Sequence, residues 1–447
     1  MRNVLGLGLS LLLVCSALAE RPNILIILTD DQGRGDYSAF GTKDIRTPHM
    51  DALFAGGMAF ENFYANSCVC SPTRAALLTG CHPDRVGVPG VIREERPENS
   101  WGRLSSRAVL LPQLLKASGY HTALVGKWHL GVSSPNTPTE RGFDFFHGFL
   151  GDMMDDYYTH LRNGCNYMRR NGETDNPPGH ATDVFTGWAC AYLEERAKAG
   201  GPFFLYLAYN APHDPIQPKP DWLERVKRRE PALSERRAKL VALIEHLDDG
   251  IGQVLATLDR TGLATNTLVI FSSDNGGVLR NGANNGPWRG SKGQMYEGGL
   301  RVPCAVRWPG HVRPGSRTER VALTMDVFAT VCAAVGVEPP AGIDGVSFLP
   351  SLLGQAAPDI ARDCYFVRRE GGLEYGGKTI EALRRGDWKL VQNSPFAPLE
   401  LFNLRSDPQE SDDCAKKNRA VLGELGTALR AQVQRGGAVP WQTEKDR

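Results

Sequence analysis

Asn23-Ile24-Leu25-Ile26-Ile27-Leu28-Thr29-Asp30-Asp31 is an apolar run without polar alternation, stopped by two carboxylates. A strand covered on one face alternates; a strand covered on both faces reads as continuous hydrophobicity. Three more runs behave the same way. Ala123-Leu124-Val125 leads to Gly126-Lys127-Trp128-His129, and Phe203-Phe204-Leu205-Tyr206-Leu207-Ala208 leads to Asn210-Ala211-Pro212-His213. Thr267-Leu268-Val269-Ile270-Phe271 leads to Ser272-Ser273-Asp274-Asn275. Helical stretches lie between them. The clearest starts near Ser234, repeats Leu240, Leu243, Ile244, Leu247, Ile251, Val254, Leu255 and Leu258 at helical spacing, and stops by Gly262. Within it, His246 and the pair Asp248-Asp249 read as surface or capping groups. The expected class is α/β, a parallel-rich sheet between helices. Ligands in such folds sit beyond the carboxyl ends of the strands, so the polar endings gather on the functional edge.

With 447 residues, 41% hydrophobic and 23% charged, the chain suits one large α/β unit plus a smaller one. A net charge of +1 gives no global attraction for nucleic acid or acidic membrane. Residues 1–19 read as a signal peptide: Arg2, an apolar core from Val4 to Val14, and Ala17-Leu18-Ala19 before the cut. The bulky Val14 before Cys15 argues against lipidation. No later stretch reaches transmembrane length, so the expectation is a secreted or periplasmic protein without a stable membrane span. Removing Cys15 leaves nine cysteines, and an odd count in an oxidising compartment points to one thiol with another task. The other eight are open to two readings, up to four disulfides or buried free thiols.

Cys70-Ser71-Pro72-Thr73-Arg74 runs into Ala75-Ala76-Leu77-Leu78-Thr79-Gly80, a helix start with proline in its first turn. Ser71 and Thr73 are candidates to hydrogen-bond the free amides there. Cys70 then sits where a helix end stabilises a thiolate or an anion, with Arg74 one turn on. The pentapeptide alone leaves a reactive centre and a buried structural cysteine equally open.

Asp30, Asp31, Asp274 and Asn275 supply carboxylates and one amide carbonyl, a set that suits calcium or magnesium better than zinc. Each pair taken singly reads as a turn or cap; both at strand ends point to a metal. The other endings carry cations: Lys127, His129, His213, Arg74, and Lys292 in Gly290-Ser291-Lys292-Gly293. Around one metal they would stabilise a multiply charged tetrahedral oxyanion, and a histidine would protonate a departing oxygen. Singly, each reads as a structural histidine or a solvated lysine.

Cys70-Ser71-Pro72-Thr73-Arg74 with its following helix resembles the C-x-P-x-R signature of type I sulfatases, of the alkaline-phosphatase-like superfamily. Asp30-Asp31, Gly126-Lys127-Trp128-His129-Leu130-Gly131, Ala211-Pro212-His213 and Ser273-Asp274-Asn275-Gly276-Gly277 extend the likeness. Arg289-Gly290-Ser291-Lys292-Gly293 and Glu297-Gly298-Gly299-Leu300-Arg301-Val302-Pro303 complete it, in the family's order, across roughly residues 22 to 310. Thr73, Cys81, the Cys68-x-Cys70 pair and Arg34 depart from the usual pattern. Cys81 stands where many members have arginine, a sign of weaker support for the helix or of a local disulfide.

The resemblance implies an arylsulfatase-type sulfuric ester hydrolase with an alkaline-phosphatase-like fold, a large mixed, mostly parallel sheet sandwiched by helices. It implies that a formylglycine-generating or sulfatase-maturing enzyme oxidises Cys70 to formylglycine, whose hydrate attacks sulfur with the help of one calcium ion, or magnesium as the alternative. By similarity the metal ligands are Asp30, Asp31, Cys70, Asp274 and Asn275. Lys292 and His213 serve the sulfate and the leaving alcohol, with His213 the proton donor; His129 takes the proton from the second hydroxyl; Lys127 and Arg74 hold the diol. A catalytic part over 20–356 and a small α+β part over 357–447 follow. In the latter Tyr365–Arg369, Trp388–Val391 and Leu399–Leu404 read as antiparallel strands and about Ala420–Gln434 as a helix. Arg368 and Arg369 read as a solvated strand edge. The expected substrate is a small-molecule or saccharide sulfate ester, chosen by loops around Gly151–Arg170 and Tyr365–Lys378. A phosphomonoester or phosphodiester hydrolase of the same superfamily is the alternative. A catalytically silent binding protein comes third, disfavoured by the presence of every cation.

Overall fold

The computed structural model describes residues 21–93, 100–355, 362–370 and 378–437. The signal peptide expected over 1–19, the boundary at 356/357 and part of the 365–378 loop lie outside them. The apolar runs all form strands. The large sheet contains β1 (Asn23–Thr29), β2 (Met58–Tyr64), β3 (His121–Lys127), β4 (Phe145–Phe149), β5 (Phe203–Ala208), β6 (Thr267–Ser273), β7 (Cys304–Arg307) and β8 (Ser316–Leu323). With the short strands Met168–Arg170 and Glu173–Thr174 it has ten strands, in the order β8-β2-β7-β6-β1-β5-β3-β4 followed by those two. The block β6-β1-β5-β3-β4 is parallel throughout, and β7 runs antiparallel to β6 and to β2.

The continuous hydrophobicity of β1 has the expected cause. Ile24, Ile26 and Leu28 pack on one side with Ala75, Leu77 and Leu78 of helix α2 (Cys70–Thr79). Leu25 and Ile27 pack on the other with Met50 of α1 (Pro48–Gly56), Phe185 of α3 (Ala181–Ala199) and Leu247 of α4 (Glu235–Arg260). Among the described residues no helix is long and apolar enough to cross a membrane.

His246 and Asp248 are not surface groups. Both are buried: His246 Nε2 lies 2.6 Å from Asp183 Oδ1, and Asp248 accepts the amides of His49 and Met50 at 3.1 and 2.7 Å, capping α1 rather than its own helix. The segment 169–180, loop-like in composition, contains two paired strand pieces that extend the sheet beyond β4. All nine cysteines of the described residues are free. Cys68, Cys304, Cys332 and Cys364 sit in the core as small hydrophobes, and Cys81 forms no local disulfide.

A separate antiparallel sheet follows in the order β9 (Cys364–Arg369), β10 (Thr379–Arg385), β11 (Trp388–Gln392) and β12 (Glu400–Asn403), with helix α5 (Arg419–Gly436) on one face. Strand β10 has no counterpart in the sequence reading, because Glu381 and Arg384 break its apolar pattern. Both are buried, and Glu381 pairs with Arg369 at 3.0 Å. Arg368 and Arg369 are therefore not a solvated edge. Arg369 also reaches Asp84 at 3.4 Å, and Arg368 binds Glu370 and the Gly293 carbonyl. The second face of the sheet packs on Val69, Ala76 and the 295–300 segment. There Lys389, fully buried, pairs with Glu297 at 2.8 Å and Glu410 at 2.9 Å.

His82, on the loop after α2, meets Tyr365 edge-on at 5.3 Å, and its Nδ1 is buried without a partner. Burial pushes it down to about 4 against the opposing pull of Asp344, so it is neutral in the fold. An unfolded chain protonates this ring near its ordinary value of about 6.5. Stability is therefore held above that value and lost as pH falls toward about 4, by roughly 3 kcal/mol. Melting temperatures from about pH 7 to about pH 4 should fall less steeply for His82→Phe than for the wild type.

Candidate active site

The carboxyl ends of β1, β3, β5 and β6 deliver their polar endings to one place. Asp30, Asp31, Cys70 and His213 each offer a ligand atom within 4.8 Å of the others. Asp274 joins by accepting the Asp31 amide at 3.1 Å, and Asn275 by donating Nδ2 to Asp31 Oδ1 at 2.7 Å. The cations pair with this set. Lys127 Nζ donates to Asp30 Oδ2 at 2.6 Å; Arg74 donates twice to Asp274 Oδ2, at 2.8 and 3.1 Å, and lies 3.6 Å from Asp30. Lys292 Nζ reaches Asp31 Oδ2 at 2.8 Å and His213 Nε2 at 2.9 Å. His129 stands beside them without a hydrogen bond to them: its Nε2 donates to the Ile92 carbonyl at 3.1 Å, and its Nδ1 is buried without a partner.

Local sequence explains how these groups are presented. Gly126, at φ 103°, lies so close to β5 that a Cβ would stand 2.0 Å from the Ala208 carbonyl, and Lys127 follows it directly. Gly80, at φ 68°, closes α2 with its amide on the Ala76 carbonyl at 2.9 Å. Asp31 and His129 hold left-handed backbone at φ 65° and 58°. Such strain in non-glycine residues collects at functional sites, where packing over-determines it. Ser71 and Thr73 do not cap α2. Ser71 Oγ accepts the Ile92 amide at 3.1 Å and Thr73 Oγ1 the Ser67 amide at 3.1 Å, so both tie flanking loops to the helix start.

Of the two readings of Cys70, its surroundings disfavour a thiolate. Burial pushes the Cys70 thiol up, more than Lys127 and Lys292 pull it down, and Sγ donates to Asp30 Oδ1 at 3.5 Å. For Asp30 burial works upward, but Lys127, His213 and Arg74 outweigh it and lower its pKa. Asp31 is lowered in the same way, by Lys292 and His213. Asp274 is pushed up, first by burial and then by the Asp30 carboxylate. Converging buried carboxylates that repel one another are relieved by a divalent cation. The donor set fits one, since Asn275 Oδ1 is buried with no partner and Asp30, Asp31 and Asp274 bring carboxylate oxygens beside it. Burial, Lys127 and Arg74 drive His129 well below its ordinary value, so it is neutral.

The ten residues singled out from the sequence thus meet at one edge. Tyr157 and the Ile92 carbonyl, which hold the backbone of His213 and the ring of His129, escaped the reading. A hydroxyl or a carbonyl reaching a backbone group across the fold leaves no sequence signal.

The comparisons agree with this geometry. A family model described as Sulfatase matches residues 22–337, and one described as N-sulphoglucosamine sulphohydrolase, C-terminal, matches 289–435. The chain is similar to N-acetylgalactosamine-6-sulfatase of Mus musculus, at 32% identity over 85% of this chain and 75% of the relative. It is similar to arylsulfatase A of Homo sapiens at 31% identity, over 91% of this chain and 86% of that one. Among solved structures it resembles Ps i-CgsB in complex with k-i-k-neocarrahexaose, with a TM-score of 0.86 and 30% identity over 96% of both chains. A carboxylate-rich centre ringed by cations at the carboxyl ends of parallel strands, and matches that span most of the chain, lead to one conclusion. The chain belongs to the sulfatase family and is a sulfuric ester hydrolase.

Proposed function

We propose that the protein removes sulfate from carbohydrate hydroxyls, using Cys70 matured to formylglycine and one bound calcium ion. The observation that carries this reading is the convergence of Asp30, Asp31, Asp274 and the unpartnered Asn275 Oδ1 on Cys70, with Arg74, Lys127 and Lys292 around them. Asp30, Asp31, Asp274, Asn275 and the matured side chain at position 70 would hold the ion, with magnesium as the alternative. When bound, it supplies positive charge that offsets the carboxylates and stabilises negative oxygen on sulfate. A formylglycine-generating or sulfatase-maturing enzyme is the partner that oxidises Cys70. The apolar start at 1–19 supports export.

The remaining roles follow from proton positions. His129 donates through Nε2 to Ile92, so its Nδ1 carries the lone pair and serves as the base for the hydroxyl proton of the matured side chain. Lys127 and Arg74 hold that side chain by charge. His213 donates through Nδ1 to the Asp214 carbonyl at 2.9 Å, which leaves Nε2 to face the leaving oxygen. When protonated, His213 holds at Nε2 the proton for that oxygen, and Lys292, 2.9 Å from Nε2, is a charge partner for sulfate.

The carbohydrate assignment draws on the relatives named for N-acetylgalactosamine 6-sulfate and on the carrageenan oligosaccharide bound by the structural relative. Sulfate release is measured across defined sulfated saccharides, beside 4-nitrophenyl sulfate and 4-nitrophenyl phosphate. Release from saccharides, with sulfate preferred over phosphate, is the expected result. Activity confined to small aryl or lipid sulfates would overturn the sugar assignment, and preference for phosphate would favour the phosphoesterase alternative.

A further inference from the structure

His213 stands on the connection between β5 and the helix that starts at Pro220, and that connection has no secondary structure of its own. Its first turn is closed by the His213 amide on the Asn210 carbonyl at 2.9 Å. One buried side chain grips this turn from outside: the Tyr157 hydroxyl lies 3.0 Å from the Asn210 carbonyl oxygen and 2.9 Å from that of His213. Both neighbours are pure acceptors, so the hydroxyl donates. The same segment also holds the far end of the connection. The Tyr157 amide donates to Gln217 Oε1 at 2.7 Å, and Gln217 Nε2 donates to Asp156 Oδ2 at 2.8 Å. The Tyr157 ring is fixed in turn by stacking on His180 at 4.9 Å.

We propose that Tyr157 is a positioning residue for the reaction: its hydroxyl fixes the Asn210–His213 turn so that His213 Nε2 meets the departing oxygen. The inference rests on the reading of His213 as the proton donor. Losing this hydroxyl leaves sulfate binding and the attack on sulfur in place and loosens only the proton transfer. The cost therefore depends on the leaving group. An acidic phenol departs without a proton, whereas a sugar alcohol does not.

The test is kcat against leaving-group acidity over a series of substituted phenyl sulfates plus a sulfated saccharide turned over by the wild type. Three proteins are compared: wild type, His213→Ala and Tyr157→Phe, the last of which keeps the ring and its stack. His213→Ala should lose about 10²- to 10⁴-fold on the poorest leaving groups and far less on 4-nitrophenyl sulfate. Tyr157→Phe should tilt the same way by about 10- to 100-fold, with its smallest loss on 4-nitrophenyl sulfate. A flat loss for His213→Ala sinks the donor reading itself. A steep His213→Ala line beside a Tyr157→Phe line parallel to wild type overturns the positioning role alone. If Tyr157→Phe does not fold, Gln217→Ala, which frees the other end of the connection, must show the same tilt.

Discussion

Replacing Cys70 by alanine should lower sulfate ester turnover by at least about four orders of magnitude, the scale of losing a covalent nucleophile. Stability should stay close to that of the wild type. The side chain is small, and among the described residues its only polar contact is the long one from Sγ to Asp30 Oδ1 at 3.5 Å. The surroundings of position 70 weigh between two uses of it. Burial pushes a thiol here up, which disfavours a plain sulfur nucleophile. An aldehyde hydrate made from it would face oxygen ligands and cations suited to an oxyanion. Kinetics of the wild type and of Cys70→Ala, both co-expressed with a maturing enzyme, on 4-nitrophenyl sulfate, with melting curves, check both parts. Retained turnover would move the nucleophile elsewhere.

Asp274→Ala should fail in two ways at once. Arg74 is fully buried, and its short ion pair is with Asp274, at 2.8 Å; Asp30 is left at 3.6 Å. Removing one partner of a buried pair strands the other charge, at a cost of about 3–5 kcal/mol. The same change removes a proposed metal ligand, so bound calcium measured by elemental analysis and turnover should both collapse. Replacing the pair together, as Arg74→Met with Asp274→Leu, should recover most of the stability and none of the activity. If Asp274→Ala melts like the wild type, the pair does not hold the site. If the double variant is active, neither residue belongs to the machinery.

The sheet was legible because its central strands are covered on both faces. Leu25 and Ile27 have no polar alternative to their neighbours Ile24, Ile26 and Leu28, so the run announces itself. Asp30 and Asp274 follow directly on such runs, Lys127 ends one, His213 stands five residues past another, and parallel pairing brings the strand ends together. Buried polar groups were the opposite case. Asp248 read as a surface or capping group, yet it is buried and caps α1, not its own helix, from 198 residues away in sequence. Arg369 and Glu381 pair within the small sheet, and Lys389 is enclosed by Glu297 and Glu410. A charge in the sequence reads as solvent-facing until its partner is known, and these partners lie on other elements of the fold. The same reason hid Tyr157, whose hydroxyl serves backbone carbonyls 53 and 56 residues further on. Ser71 and Thr73 misled differently: they have capping chemistry at a capping position, but neighbouring loop amides take their oxygens.

The most direct measurement is the mass of the peptide spanning Cys70 from protein co-expressed with a maturing enzyme, taken from the preparation whose sulfate release is measured. The account predicts that the active fraction has lost the sulfur and two hydrogens at position 70 and gained one oxygen, and that activity rises in proportion to this form. Full activity with an unmodified thiol at Cys70 would contradict it.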